Sequence, residues 1–153
     1  MVALLLAGCV RTQPATPAEL RAAEAAWAEH PVASYRTVVE VERYDERRRA
    51  EVTVHDGAIT AAQLVYWDDR TRTWGPPQVL SREQAVPYTV PGLFDMAQGQ
   101  LAGGQRSVRV AYDRRYRFPI RLELGNVIDG GQMLRNTDVT VRVVRFTALN
   151  PSP

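Results

Sequence analysis

Two histidines, four serines, one cysteine and a few aspartates are the residues of this chain that could do chemistry, and their spacing decides how far each can be taken. His30 and His55 fall in no His-x-x-x-His or His-Glu-x-x-His pattern, the spacing that brings two imidazoles to one metal ion. His30 stands where a helix is expected to end and meets the negative end of its dipole, while His55 precedes an Asp-Gly turn and reads as an exposed strand residue. Ser34, Ser81, Ser107 and Ser152 lie in no Gly-x-Ser-x-Gly elbow, and a chain without lysine has no Ser-x-x-Lys motif. The glycines at 99, 103 and 104 lack the Lys-Ser/Thr step of a phosphate-binding loop. Asp68, Asp69 and Asp113 remain as an acid and base for hydrolysis if one cleft holds them together. Their alternative use is turn chemistry and pairing with Arg70, Arg72 or Arg114. The expectation is a chain with no catalytic residues, no metal ligands and no cofactor.

The lone thiol has a different reading. Leu6, Ala7, Gly8 and Cys9 resemble the lipobox of bacterial lipoproteins, in which small residues let a peptidase reach the bond before a lipid-modified cysteine. Residues 1–8 are then the remnant of a signal peptide whose start lies upstream of Met1, since the apolar part is short and nothing basic precedes it. Cys9 would carry the membrane anchor, residues 9–16 a polar linker, residues 17–149 one domain and residues 150–153 a tail. A cysteine buried in a truncated apolar N-terminus is the competing interpretation. With Cys9 acylated, no thiol is left for a disulfide, a metal or a nucleophile. No other run approaches the ~20 apolar residues of a membrane span. The resulting address is the cell envelope, with a domain outside the cytoplasm tethered to a membrane.

One stretch could serve recognition. In "YWDDRTRTW" a four-residue loop, Asp69 to Arg72, sets Trp67 directly across from Trp74 with Arg70 and Arg72 on the tip. Aromatic and arginine side chains on a projecting loop suit contact with a partner protein or ligand, so Trp67, Trp74, Arg70 and Arg72 are the candidate binding residues. Opposed tryptophans also stabilise a sheet without any ligand. Nucleic acid is disfavoured as a partner. All 19 basic residues are arginine, but the net charge of only +2 is too small to favour it, since phosphate binding needs a concentrated basic face. The Asp45-Glu46-Arg47-Arg48-Arg49 run reads as a solvated turn between strands.

The elements that must position these residues follow from periodicity. Thr16-Pro17-Ala18-Glu19 is a capping box, from which Leu20, Ala23, Trp27 and His30 line one helical face until Pro31. The period then becomes two: Tyr35, Thr37, Val39 and Val41 share one face of a strand, against Arg36, Glu40 and Glu42. Asp56-Gly57 predicts a type I′ hairpin pairing Val54 with Ile59 and Val52 with Ala61. Leu93, Phe94, Ala97 and Leu101 predict a second, short helix, weakened by Gly92 and Gly99. A turn centred on Arg114 would pair Val110 with Phe118 and Val108 with Ile120, with Pro119 outward near an edge. Val139, Val141 and Val143 supply a last strand after the Asp129-Gly130-Gly131 turn. With 45% hydrophobic and 24% charged residues the body is globular. The expected class is α+β: an antiparallel sheet of about six to seven strands packed against an N-terminal helix and a second short helix.

Trp27 and His30 closing a helix, "SYR" at 34–36, "VTVHDGAI" at 52–59, "GLFDM", and "VRVAYDRRYRFPIRLEL" at 108–124 resemble an uncharacterised family of small bacterial lipoproteins. The most specific piece is Tyr112-Asp113 followed by Phe118-Pro119. Members often carry a cysteine pair where this chain has Arg43-Tyr44-Asp45, and a glycine before the aromatic-proline step where it has Arg117. The resemblance implies an envelope location and an α+β fold but no reaction. The overall expectation is a lipid-anchored, non-enzymatic binding or accessory module. Its rivals are an inhibitor-like domain that docks a hairpin onto a secreted enzyme, and a hydrolase built from dispersed carboxylates.

Overall fold

A computed structural model describes residues 11–149, so Cys9, the expected signal remnant at 1–8 and the tail at 150–153 lie outside the described residues. In chain order the elements are β1 (Gln13–Pro14), α1 (Pro17–Glu29), β2 (Tyr35–Arg43), β3 (Glu46–His55), β4 (Ala58–Asp68), β5 (Thr73–Trp74) and β6 (Gln78–Val79). Then come α2 (Arg82–Ala85), a 3-10 turn at Val86–Tyr88, α3 (Val90–Gly103), β7 (Val108–Tyr112), β8 (Pro119–Leu124), β9 (Val127–Asp129), β10 (Gln132–Leu134) and β11 (Val139–Ala148). Nine strands form one antiparallel sheet in the order β1-β7-β8-β11-β2-β3-β4-β5, with β6 also on β4, while β9 and β10 form a separate hairpin. This is the expected α+β class, with more strands than the periodicity alone predicts.

The helices cover one sheet face. Leu20, Ala23 and Trp27 of α1 and Leu93, Phe94 and Ala97 of α3 are buried against Tyr35, Val39, Val41, Val52, Val110, Phe118, Leu122 and Val141. Trp27 meets Tyr35, Phe118 and Phe146 edge-on, at centroid distances of 6.2, 5.6 and 6.3 Å, the geometry that aligns ring edges with ring faces. Burying one such ring contributes roughly 1.5–3 kcal/mol relative to leaving it in water. The Thr16 hydroxyl accepts the Glu19 amide (3.2 Å) and donates to the Glu19 carboxylate (2.9 Å), so the cap is present with its reciprocal half made through the hydroxyl. His30 ends the helix by donating its own backbone N–H to the Trp27 carbonyl and is exposed, not part of the buried stripe. The Tyr35 hydroxyl accepts the Val90 amide at 3.1 Å, in the first turn of α3, where an amide has no helical partner.

Several expectations are corrected. Residues 13 and 14, read as linker, pair with Val110 and Arg109, and Thr12 donates to Glu123 at 2.6 Å, so this stretch is tied to the sheet edge. The Asp56-Gly57 turn has the positive φ values of type I′ (48° and 78°) and pairs Val54 with Ile59. A bulge then inserts Thr60, and Val52 faces Ala62 instead of Ala61. The "ERRR" run is strand, not turn: the chain reverses at Tyr44-Asp45, and Arg47, Arg48 and Arg49 belong to β3.

The β7–β8 connection is longer than the Arg114-centred turn predicts. Asp113 accepts the Arg115 and Tyr116 amides at 2.8 and 2.6 Å, and Asp113 N–H closes the loop on the Phe118 carbonyl at 2.8 Å. Val110 therefore faces Leu122 and Val108 faces Leu124. The slip is an even number of residues, so the same faces stay inward. Pro119 is buried at the first position of β8, beyond the reach of the β11 ladder, where its missing N–H costs no bond. Arg117 closes this loop at φ 65°, a left-handed conformation that glycine adopts without strain. Replacing Arg117 with glycine is expected to raise the unfolding free energy by roughly 0.5–1 kcal/mol in urea denaturation. A loss of stability would show that its side chain supports the loop.

Candidate functional site: the helix-free face of the sheet

The side chains that point away from the helices form a belt of alternating charge. At one end Arg109 and Arg121 flank Glu123 at 3.7 and 2.9 Å. At the centre stands Glu40. On strand alternation alone it is a solvent-side residue, yet it is only 4% exposed, because three arginines from the neighbouring strands close over it. Arg49 donates through Nε to Oε1 at 2.9 Å, Arg47 to Oε2 at 3.1 Å, and Arg142 of β11 to Oε2 at 2.7 Å. The sheet register makes this convergence: Glu40 pairs directly with Arg49 on one side and Arg142 on the other, and Arg47 lies two residues along β3 on the same face. Burial raises the Glu40 carboxyl, but hydrogen bonds from Arg49, Arg142 and Arg47 outweigh it and hold the pKa down at about 2.

Next to the arginines lies the tryptophan pair. Trp67 and Trp74 are direct cross-strand partners, as the four-residue loop predicts, with centroids 5.3 Å apart and planes at 70°. Asp68 holds the turn by accepting the Arg70 and Thr71 amides at 2.9 and 3.3 Å, bonds that also lower its pKa. The rings do not project. They are half-buried, and the Arg49 guanidinium lies 4.2 Å from the Trp74 ring centroid, with that of Arg47 5.4 and 5.3 Å from the Trp67 and Trp74 centroids. Arg70 and Arg72 are exposed on the tip, Arg72 at φ 55°. The cations over the rings are thus Arg47 and Arg49, which the "ERRR" run contributes from the next strand.

Three guanidiniums share one carboxylate, which leaves two positive charges in excess. The Arg47, Arg49 and Arg142 side chains remain 36%, 36% and 44% exposed, against 5% for Glu40. Each guanidinium carries five donors in a rigid fork, and the bonds to Glu40 use only part of them. The arrangement is a preorganised set of outward donors beside an aromatic platform. Chemically it can hold an anionic group.

The carboxylates considered for hydrolysis lie apart. Asp68 and Asp113 each cap their own turn, on strands separated by most of the sheet. A different cluster forms where the sequence offers no motif: the Ser34 hydroxyl lies 3.3 Å from His55 Nδ1, and His55 Nε2 lies 3.4 Å from Asp56. Ser34 Oγ also accepts the Asp56 amide at 3.0 Å, and the Gly57 amide bonds the Ala33 carbonyl at 2.8 Å. These contacts latch the β3–β4 tip to the segment before β2, and none of the three residues lines the cavity between α3 and the sheet. Among the described residues no group of three or more His, Cys, Asp or Glu is placed to hold a metal ion.

The fold and this face define an antiparallel sheet with helices on one side and a charged, aromatic surface on the other. Residues 19–147 match the model of a family of unknown function, DUF6174, and the chain belongs to that family. A search of curated proteins found no match. Among the described residues no helix is long and apolar enough to cross a membrane.

Proposed function

We propose that the protein is a non-enzymatic binding or accessory module of the cell envelope, anchored through lipidated Cys9, whose helix-free sheet face receives an anionic group of a partner. The observation that carries the reading is the convergence of Arg47, Arg49 and Arg142 on one shielded glutamate beside the Trp67/Trp74 pair. Aromatic and arginine side chains concentrate at recognition surfaces because they give large contact area and directed donors at a small conformational cost. The Leu-Ala-Gly-Cys motif supports the address. The inhibitor-like alternative draws less support, since the rings fold back onto the arginines.

The test is cross-linking capture from membranes of the native host, comparing wild type with Cys9→Ser, Trp67→Ala/Trp74→Ala and Arg142→Gln. Cys9→Ser should release the protein from the membrane fraction. Both face variants should lose the wild-type partner by about tenfold or more, and capture should weaken as salt rises, because exposed charges are screened. Equal recovery of the same partners by wild type and both face variants would remove the face from the proposal.

A further inference from the structure

On the opposite, helix-covered side, the sandwich is left open at one end. A cavity of about 550 Å³ lies between the C-terminal half of α3 and the sheet, at the end where β2 turns into β3 and β11 begins. Its size is that of small-molecule sites, roughly 300–1,000 Å³. The floor is apolar: Val41, Leu124, Val139 and Val141 from the strands and Met96 from α3. The polar lining is sorted by depth. Asp45, Asp138 and Arg43 stand on the rim and are exposed, where water solvates their charges. Farther in lie Arg48, Arg106 and the buried Tyr88.

These inner groups have donor capacity to spare. Arg48 bonds Glu46 at 2.9 Å through one terminal nitrogen, and its Nε is buried without a partner. Arg106 is steered by a single bond of 3.2 Å to the Thr137 carbonyl, and no ion pair with a carboxylate engages it among the described residues. A half-buried guanidinium with free donors beside an apolar floor favours a ligand that combines a carboxylate with a hydrocarbon body. The exposed aspartates act against a second negative charge at the mouth.

We infer that this cavity is a binding site for a small aliphatic monocarboxylate, its head held by Arg48 and Arg106 and its chain lying on Val41, Met96, Val139 and Val141. The site is separate from the charged face and does not rest on the function proposed for it.

The test is a titration of the full chain with octanoate, octylammonium and octanol, followed by methyl NMR. Octanoate should shift the methyl signals of Val41, Met96, Val139 and Val141 with a saturable Kd below about 5 mM, and octylammonium should not. Arg106→Gln, a change at a half-exposed side chain, should weaken octanoate about tenfold, and Met96→Trp should block the floor while leaving the rest of the spectrum in place. Equal binding of octanol or octylammonium, an unchanged Kd in Arg106→Gln, or no saturable shift with octanoate would each overturn the inference.

Discussion

Replacing Gly92 with alanine is expected to destabilise the protein severely, by about 3 kcal/mol or more, although the same change in a helix is ordinarily stabilising by roughly 1 kcal/mol. Gly92 sits in the first turn of α3, its amide bonded to the Thr89 hydroxyl at 3.2 Å. The chain reaches that turn through the tight Val86–Tyr88 segment, and a Cβ on residue 92 would overlap the backbone carbonyl of Val86 and crowd Cα of Pro87. Backbone atoms cannot rotate out of the way as a side-chain tip can. Either the 3-10 turn or the docking of α3 must shift, and Leu93 and Phe94, both fully buried, shift with it. Gly99 provides the internal control: a Cβ there meets nothing within 4 Å, so Gly99→Ala should stabilise by roughly 0.5–1 kcal/mol. Urea denaturation of both variants measures the pair. A Gly92→Ala protein as stable as wild type would show that α3 does not approach the preceding turn as closely as described.

Glu40→Gln is expected to lower the unfolding free energy at neutral pH by about 2–3 kcal/mol, because three guanidiniums keep their mutual repulsion and lose the charge that balances it. The same group sets an acid limb. Its pKa in the folded protein is about 2, below the 4.5 of a free glutamate. Between those values the unfolded chain binds more protons than the folded one, so stability rises with pH through this window. The contribution is fully present above about pH 4.5 and disappears as pH falls toward 2. Glu40→Gln should flatten that part of the stability profile, whereas Arg142→Gln, which leaves two arginines on the carboxylate, should reduce it only in part. Parallel acid limbs in wild type and Glu40→Gln, measured by urea midpoints across pH 2–6, would show that the cluster adds nothing to the fold.

The positions read correctly from sequence are those where local chemistry decides the outcome. Thr16, Asp56-Gly57 and the loop between Trp67 and Trp74 each specify a turn or cap through their own side chains or φ preferences, and each forms where expected. Tyr44-Asp45 has no such signature. Neither residue has a positive φ, so the reversal that turns "ERRR" into strand left no mark, and Arg47 and Arg49 could not be aligned with Glu40. Arg142 is legible only through a pairing with β2 about a hundred residues away. The loop at Asp113 departs from the Arg114-centred turn because Arg117 takes a left-handed backbone conformation that is uncommon for a residue other than glycine. Sequence therefore located the aromatic half of the candidate site and missed the cationic half, which exists only once β2, β3 and β11 lie side by side.

The borders of the sheet carry a consequence of their own. The long strands β2, β3, β4 and β11 lie inside it, whereas β1, β5 and β6 at its margins are two residues each. Strands that short, with Pro14 at one side and Pro76-Pro77 at the other, offer few amides of their own, so the stretches a neighbouring copy could extend are the outer edge of β4 at residues 58–61 and the part of β11 beyond Arg142 that β8 does not pair. Edge-to-edge association of crowded molecules is thereby confined to those two stretches, and the margins themselves resist it.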